Sequence, residues 1–399
     1  MNLLIPTLKI AFSDLVDGVH EKAFNERFPA KGSFHKLARG GREYWYHVMR
    51  DANSPTGRRT TYGGIVGDPE TDALVQRHGR ANAQHKMLKG IASMLRRAGL
   101  PSPEPIEGMV AQAFQRSGVF QSGAILVGSV AYQAYGGILG VKLGGDLHRT
   151  QDLDIAQNRE ISLHVGHTSQ RLEDFQEILK SVDPTFEPKL NPQYPKAGPT
   201  RYENASKFRV DLVTEHKNSD RDRKAPIELP THPGAAMQPL DLMEYLIKNP
   251  IRSALLYEEG VAVMIPDPAR YALHKAALSQ MRGLSGEAGK DSKDRLQATE
   301  VLKGVEQAGR TSELAEAWSE LWEEKAKRRP LIARGFLSLP DSAIDIIARS
   351  ALRYGEGPFK TSEDPKETLR RFLAKDPRGE TMKTNSSSKN KRDNNGLEV

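Results

Sequence analysis

The sequence contains no cysteine among its 399 residues. This absence excludes disulfide bonds, thiolate nucleophiles and zinc sites built on cysteine. It is compatible with a reducing compartment, so a cytoplasmic location is the expectation. A chain of this length exceeds one average domain, and we expect two or three packed units that need no covalent cross-links.

Long apolar runs are also lacking. No stretch approaches the roughly 18 apolar residues that a membrane-spanning helix requires, and the mean hydropathy of −0.57 is typical of a soluble protein. The short apolar run at residues 1–6 has no basic region before it, and Asp14 and Asp17 bring charge soon after it, so a signal peptide is not expected. The sequence therefore predicts no membrane role.

Acidic residues are missing from residues 73–102, a stretch that includes most of a helix predicted over residues 69–98. The formal net charge of +7 favours anionic partners such as nucleotides and nucleic acid. This helix has either a solvated basic face opposite a packing stripe of Leu74, Met87, Ile91 and Leu95, or a face that contacts a nucleic-acid backbone. The basic residues are Arg77, Arg80, Lys86, Lys89, Arg96 and Arg97.

Periodicity and turn residues predict an α+β fold. We expect an N-terminal region (residues 1–100) with a helix capped by Ser13, a β-hairpin with arms at 42–48 and 59–66, and the basic helix. A mixed catalytic core (101–265), a C-terminal helical domain (266–355) and a polar, largely disordered tail (356–399) should come after it. Tyr44, Trp45 and Tyr46 in the hairpin are suited either to stacking on bases or to core packing.

The centre of the chain carries the chemistry. Residues 124–127 are a short apolar strand that ends in Gly128-Ser129, where a helical pattern begins at once. A backbone turn with a hydroxyl at a helix N-terminus is a favourable place for phosphate oxygens.

Aspartates recur on two later predicted strands. Asp152 and Asp154 are spaced i and i+2, so their side chains project from the same face of a strand. Asp211 lies among apolar and β-branched residues, where a charge is unfavourable unless something binds it. Carboxylates that converge from adjacent strands would bind Mg²⁺, a hard cation that prefers oxygen ligands.

In these motifs the chain resembles the DNA polymerase β-type nucleotidyltransferase superfamily, with its Gly-Ser turn, Asp-x-Asp strand and later single Asp. Residues 127–135 and 150–156 look like a stand-alone bacterial branch related to toxin-type and antibiotic nucleotidyltransferases. The resemblance covers about residues 69–303. It implies that Asp152 and Asp154 hold two Mg²⁺ ions, or Mn²⁺ in their place, and that Asp211 holds the catalytic one.

The resemblance also implies further roles and leaves alternatives open. Gly128 and Ser129 would contact the β- and γ-phosphates of an NTP, and Lys275 and Lys293 would steady the triphosphate. The long connection after the Gly-Ser turn leaves open a register that uses Asp146. The long interval from Asp154 to Asp211 makes the third carboxylate the less secure one.

The expected reaction is the transfer of NMP from an NTP such as ATP to a hydroxyl group. RNA is the favoured acceptor, for example the 3′ end of tRNA, as in toxin or defence enzymes that have a cognate antitoxin or regulatory partner. The rivals are adenylylation of an antibiotic or a protein and, from another class, a non-catalytic module that binds nucleotide or nucleic acid.

Overall fold

The computed structural model describes residues 2–21, 28–51, 54–144, 147, 150–159, 174–217, 222, 224–228, 234–283, 290–324 and 328–373. The chain divides into two compact units, Asn2–Ile265 and Pro266–Val399. The first unit combines mixed sheets with helices and the second is helical. This composition confirms the predicted α+β class.

Strands and helices are interspersed along the first unit. Its strands are β1 (Asn2–Leu3), β2 (Ser33–Arg39), β3 (Arg42–Arg50), β4 (Arg58–Ile65), β5 (Ala124–Val127), β6 (Val141–Lys142), β7 (Asp152–Gln157), β8 (Glu187–Lys189), β9 (Arg201–Glu203), β10 (Arg209–Glu215), β11 (Ile227–Glu228), β12 (Ala236–Leu240), β13 (Ile251–Leu255) and β14 (Val261–Ile265). Its helices are α1 (Pro6–Glu21), α2 (Pro69–Arg97), α3 (Pro105–Arg116), α4 (Gly128–Leu139), α5 (Phe175–Lys180) and α6 (Met243–Leu246).

A seven-stranded mixed sheet forms the centre of this unit, with the order β11-β12-β10-β7-β5. Strand β10 runs parallel to β7 and β12, whereas β5 runs antiparallel to β7. Strand β9 pairs with the first residues of β10, and β8 pairs with β9. All four residues of β5 are buried, which explains why this strand reads as a continuous apolar run.

A second, three-stranded antiparallel sheet lies near the N-terminus, in the order β2-β3-β4. The predicted hairpin corresponds to β3 and β4. Strand β2 is not evident from the sequence because its residues are mostly exposed and its apolar content is low. We call this the N-terminal sheet and the seven-stranded one the central sheet.

The first helix begins earlier than the sequence predicts. Ser13, expected to cap a helix, lies inside α1, which starts at Pro6. Proline suits the first turn because it has no N–H to leave unpaired and its φ is already helical. The buried stripe of α1 starts with Ala11 and Phe12, ahead of the expected cap.

Helix α2 has nearly the predicted bounds, but its packing stripe differs from the expected one. The buried positions are His78, His85, Leu88, Ala92 and Leu95, while Met87 is 57% exposed. By sequence the two histidines add to the basic character of this helix. They turn inward because each finds a polar partner: His78 bonds to the Pro29 carbonyl, and His85 lies 3.3 Å from Glu259.

Helices α1 and α2 share a hydrophobic core with the hairpin β13–β14. It includes Leu15 and Val19 from α1, Leu88 and Leu95 from α2, and Ala262 from β14. Side chains at helical spacing on both helices therefore close over one apolar layer. This layer joins the basic helix to the remainder of the first unit.

The second unit contains six described helices: α7 (Pro268–Gly283), α8 (Lys290–Gln307), α9 (Thr311–Glu324), α10 (Arg329–Leu337), α11 (Asp341–Tyr354) and α12 (Pro365–Leu373). Aromatic rings gather at its core. Trp318 stacks on Trp322 with the ring centroids 5.2 Å apart and on Phe359 at 5.4 Å. Both tryptophans are almost fully buried, at 0% and 2% exposure.

The polar tail expected from residue 356 is corrected over its first part. Helix α12 lies within it, with Leu369 fully buried and Phe372 at 4.8 Å from Trp322. Its few apolar residues are spaced to face one side, which a count of polar residues does not reveal. Residues 374–399 lie outside the described residues.

Among the described helices, none combines the length and the apolar character needed to cross a lipid bilayer.

Candidate functional site

The central sheet brings the aspartates of the two motifs side by side. Strands β7 and β10 are parallel, and Asp154 is the direct partner of Asp211, while Asp152 is the partner of Arg209. Directly paired residues of neighbouring strands project from the same face, and neighbouring strands lie about 4.8 Å apart. The backbone thus places Asp152, Asp154 and Asp211 on one face of two adjacent strands.

The opposite face of the same two strands is apolar. Leu153, Ile155, Val210 and Leu212 are all fully buried at 0% exposure. Burying these side chains fixes the register, because a slip of one residue would turn the carboxylates into the core. The alternation of Asp with Leu, Ile and Val therefore determines which way the carboxylates point.

The Gly128 turn lies directly beside Asp154. Val127, the last residue of β5, pairs with Asp154 across the sheet. Gly128 has a φ of +70°, and a Cβ atom built there would lie 2.1 Å from Oδ2 of Asp154. Only glycine combines that backbone conformation with the close approach of a carboxylate.

Helix α4 starts at this turn, with Ser129 as its second residue. Its first turn contains no acidic residue, and Val127 at the N-cap offers no side-chain hydrogen bond. The helix dipole leaves partial positive charge at this end, where an anion is stabilised. The predicted phosphate-binding turn therefore lies next to the carboxylates in space, although Ser129 and Asp152 are 23 positions apart in the chain.

Two arginines that the sequence motifs do not single out lie among the aspartates. Arg201 of β9 pairs with Asp211 across the sheet and binds it through two hydrogen bonds of 2.5 and 2.8 Å. Arg209 of β10 lies 3.5 Å from Asp152. The hydrogen bonds and charge of Asp211, together with the charges of Asp154 and Asp152, raise the pKa of Arg201 above its ordinary value.

These contacts decide how the carboxylates are oriented. Asp211 turns toward Arg201, while Asp152 accepts a hydrogen bond from the Thr150 hydroxyl and faces Arg209. In the part of the chain that the structure describes, no three Asp, Glu or His side chains gather closely enough to hold a metal ion. The donors are nevertheless of the type a hard cation prefers.

The two predicted lysines belong to the second unit. Lys275 of α7 is 7% exposed, pairs with Asp294 at 2.5 Å and lies 5.6 Å from the centre of the Tyr271 ring. Lys293 of α8 is partly exposed. Their contact with a triphosphate remains a prediction. Asp146, the alternative carboxylate, lies outside the described residues.

Of the two arginines that the motifs do not identify, Arg209 could have been found from the sequence. Arg209 stands two residues before Asp211, so a strand must place both on the same face. Arg201 carries no such signal, because its position opposite Asp211 depends on how β9 pairs with β10.

Comparison with known proteins gives a match to a family model. No curated protein and no solved structure matches the chain. A family model described as nucleotidyltransferase matches residues 106–323, which include the turn at Gly128 and all three aspartates. This match covers more than half of the 399 residues. The chain therefore belongs to the nucleotidyltransferase family.

Proposed function

We propose that the protein is a Mg²⁺-dependent enzyme that transfers NMP from an NTP to a hydroxyl group of RNA. The observation that carries this proposal is the register of the central sheet, which pairs Asp154 with Asp211 beside the left-handed turn at Gly128. Family membership supports an NTP as the donor substrate.

The residues of the site divide into two groups by charge. Asp152, Asp154 and Asp211 would hold the magnesium ions, which neutralise triphosphate charge and polarise the acceptor hydroxyl when bound. The first turn of α4, with Gly128 and Ser129, would receive the β- and γ-phosphates. Mn²⁺ satisfies the same oxygen donors.

The reaction is an in-line displacement at the α-phosphorus. The acceptor oxygen forms the new bond to phosphorus, the bond to the bridging oxygen breaks, and pyrophosphate leaves with the electron pair. The hydroxyl proton passes to a carboxylate of this face, for which we propose Asp211. Arg201 must first release that carboxylate, because its two hydrogen bonds occupy both oxygens.

Two charges near the aspartates favour RNA over an antibiotic as the acceptor. Arg201 and Arg209 bring guanidinium groups to the same sheet face. Once metal ions occupy the carboxylates, these guanidinium groups would attract a polyanionic acceptor and repel a cationic sugar. We retain the tRNA 3′ end, a toxin or defence role, an antitoxin partner and a cytoplasmic location as predictions from the sequence.

The experiment is a labelling assay with each α-labelled NTP in turn, Mg²⁺, and separate pools of cellular RNA, protein and aminoglycosides. We expect label in the RNA pool only, and none with an Asp152→Ala, Asp154→Ala double variant. Asp14→Asn, a change at an exposed residue of α1, is the matched control and should label as the unaltered protein does.

Other outcomes contradict specific parts of the proposal. Label in aminoglycosides or protein would overturn RNA as the acceptor. Turnover retained in the double variant would overturn the metal assignment. Absence of label in every pool would favour a non-catalytic binding module.

A further inference from the structure

The N-terminal sheet has one face that packs and one that does not. Phe34, Trp45 and His47 point toward α2: Phe34 lies 5.0 Å from His78, and the Trp45 indole donates a 2.9 Å hydrogen bond to Asp72. His47 is 1% exposed. Alternate residues of the same strands must project from the other side. We call that side the outer face.

Tyrosines occupy the middle of the outer face. Tyr46 is the direct partner of Tyr62, and the two ring centroids lie 5.6 Å apart. Tyr44 lies 6.1 Å from the same Tyr62 ring. Tyr62 is 49% exposed, and Leu37 of β2 at 46% and Ile65 of β4 at 43% both pair with Tyr44 of β3. A continuous apolar and aromatic surface of this kind usually marks an interaction site.

Arginines flank the tyrosines at both ends. Arg39 pairs with Arg42 at one end of the sheet, and Arg50 pairs with Arg58 at the other. Like charges placed opposite each other are unfavourable unless an anion neutralises them. None of the four forms an ion pair with a described residue, and no Asp or Glu projects from the outer face of the three strands.

The nearest acidic residue of these strands, Glu43, belongs to the inner side. It is paired with Ala38 in the register and lies 3.9 Å from Lys36. The basic helix α2 offers a contrast, because Lys89 is bound to Glu258 at 2.7 Å and Arg96 to the Leu256 carbonyl at 3.4 Å. Lys89 therefore has a carboxylate partner, whereas the four arginines of the outer face have none among the described residues.

We propose that the outer face binds single-stranded RNA, with the three tyrosines stacking on bases and the four arginines holding phosphates. Bases in a single strand expose the ring faces that stacking requires, whereas a duplex conceals them. The choice of RNA over DNA rests on the proposed function. Strand β3 spans about 27 Å from Arg42 to Arg50, enough for several nucleotides of an extended strand.

The test measures equilibrium binding of a fluorescent, unstructured RNA of about 12 nucleotides, within the usual site size of such surfaces. The full chain is used without NTP and with a chelator, so that the central sheet's chemistry does not contribute. Tyr62→Ala should weaken binding by about tenfold, the loss of one base stack, and Tyr62→Phe should retain it.

A matched arginine pair separates this face from general electrostatic attraction. Arg58 and Arg59 are neighbours on β4, both exposed, and point to opposite sides of the sheet. Arg58→Ala should weaken RNA binding and Arg59→Ala should not. An Arg39→Ala, Arg42→Ala double variant should reduce the magnitude of the negative slope of log K against log salt concentration by roughly 1.4, at about 0.7 for each phosphate contact.

Several results would overturn the proposal. If Arg58→Ala and Arg59→Ala lose equal RNA affinity, the outer face is not a specific binding surface. If Tyr62→Ala and Tyr62→Phe lose equal RNA affinity while their thermal unfolding is unchanged, base stacking is excluded. Tighter binding of single-stranded DNA or of duplex RNA excludes the assigned ligand. If the protein binds no RNA but self-associates, and Tyr62→Ala abolishes that self-association, a second copy of the chain covers this face.

Failure of this proposal and failure of the proposed function are distinguishable. Asp154→Asn should bind the RNA normally, because the aspartates are not part of the outer face. If it does, while Tyr62→Ala binds more weakly and the unaltered protein transfers no label to RNA, the outer face is supported and the acceptor is wrong. If RNA is labelled but Tyr62→Ala binds it normally, the outer face is wrong and the transfer stands.

Discussion

The two sheets of the first unit use arginine in opposite ways. On the central sheet, Arg201 and Arg209 lie against Asp211 and Asp152, so charges of both signs satisfy each other on one face. On the outer face of the N-terminal sheet, paired arginines have no carboxylate of the three strands beside them. To accept the proposed metal and nucleotide, the first face would have to give up internal contacts, whereas the second would not have to do so to accept an anion.

The largest expected effect tests the acidic half of this comparison. Asp154→Asn keeps the size of the side chain and removes the negative charge of Asp154, which is the partner of Asp211 in the sheet register. Loss of a metal-binding carboxylate should lower the transfer rate by about a thousandfold, since metal stabilisation of the transition state amounts to several kcal/mol. Pyrophosphate release measures this rate, and a decrease of less than tenfold would contradict the assignment.

A pair of glycines tests the contact between the turn and the carboxylate. Gly128 and Gly40 both have left-handed backbone, with φ of +70° and +57°. An added Cβ meets Asp154 at Gly128, but nothing within 4 Å at Gly40. Both Ala variants should lose about 1 to 2 kcal/mol of stability from strain. Gly128→Ala alone should also lower the transfer rate, by about a hundredfold, because the new Cβ displaces the carboxylate of Asp154.

Thermal unfolding and pyrophosphate release measure the two effects separately. Equal activity in Gly128→Ala and Gly40→Ala would show that the close approach to Asp154 has no part in the reaction.

A smaller effect is expected at Arg201. Arg201→Met leaves Asp211 without its guanidinium partner, so a cation no longer competes with that group for the carboxylate. We expect Mn²⁺ to bind about three- to tenfold more tightly without nucleotide, the range of a partly exposed charge-assisted hydrogen bond. Titration followed by electron paramagnetic resonance measures the affinity.

Lys189→Met is the matched control for this change. Lys189 lies 3.4 Å from Glu203 on the same sheet, and its pairing does not involve the three aspartates. If both variants bind Mn²⁺ as the unaltered protein does, Arg201 does not compete with the metal.

The smallest effect concerns the packed side of the N-terminal sheet. Burial and the neighbouring His78 imidazole hold the pKa of His47 below its ordinary value of 6.5. The unfolded chain therefore binds this proton more readily, and stability falls as the pH drops below 6.5 toward the folded value. The midpoint temperature of thermal unfolding at mildly acidic pH should be lower than that at neutral pH by no more than a few degrees.

His47→Gln should reduce this acid sensitivity, while His35→Gln, at an exposed position of the outer face, should leave it unchanged. The same pH dependence in all three proteins would show that the buried imidazole is not its source.

The candidate site was more predictable than its surroundings. The apolar strand before Gly128 and the alternation around Asp154 are local patterns, so the aspartates and the turn can be identified from the sequence. The predicted start of α1 is wrong and β2 is not predicted, because a serine is a weak signal inside a helix and an exposed strand has little apolar alternation.

The sequence by itself determined which residue types bear charge and which strand face each occupies, because the two-residue period of a strand is a local property. Only the tertiary structure decided that Asp154 faces Asp211, that Arg201 holds Asp211, and that Asp154 approaches Gly128 too closely for any side chain. These contacts join residues far apart in the chain. They depend on strand order and register, which the packing of the whole sheet sets.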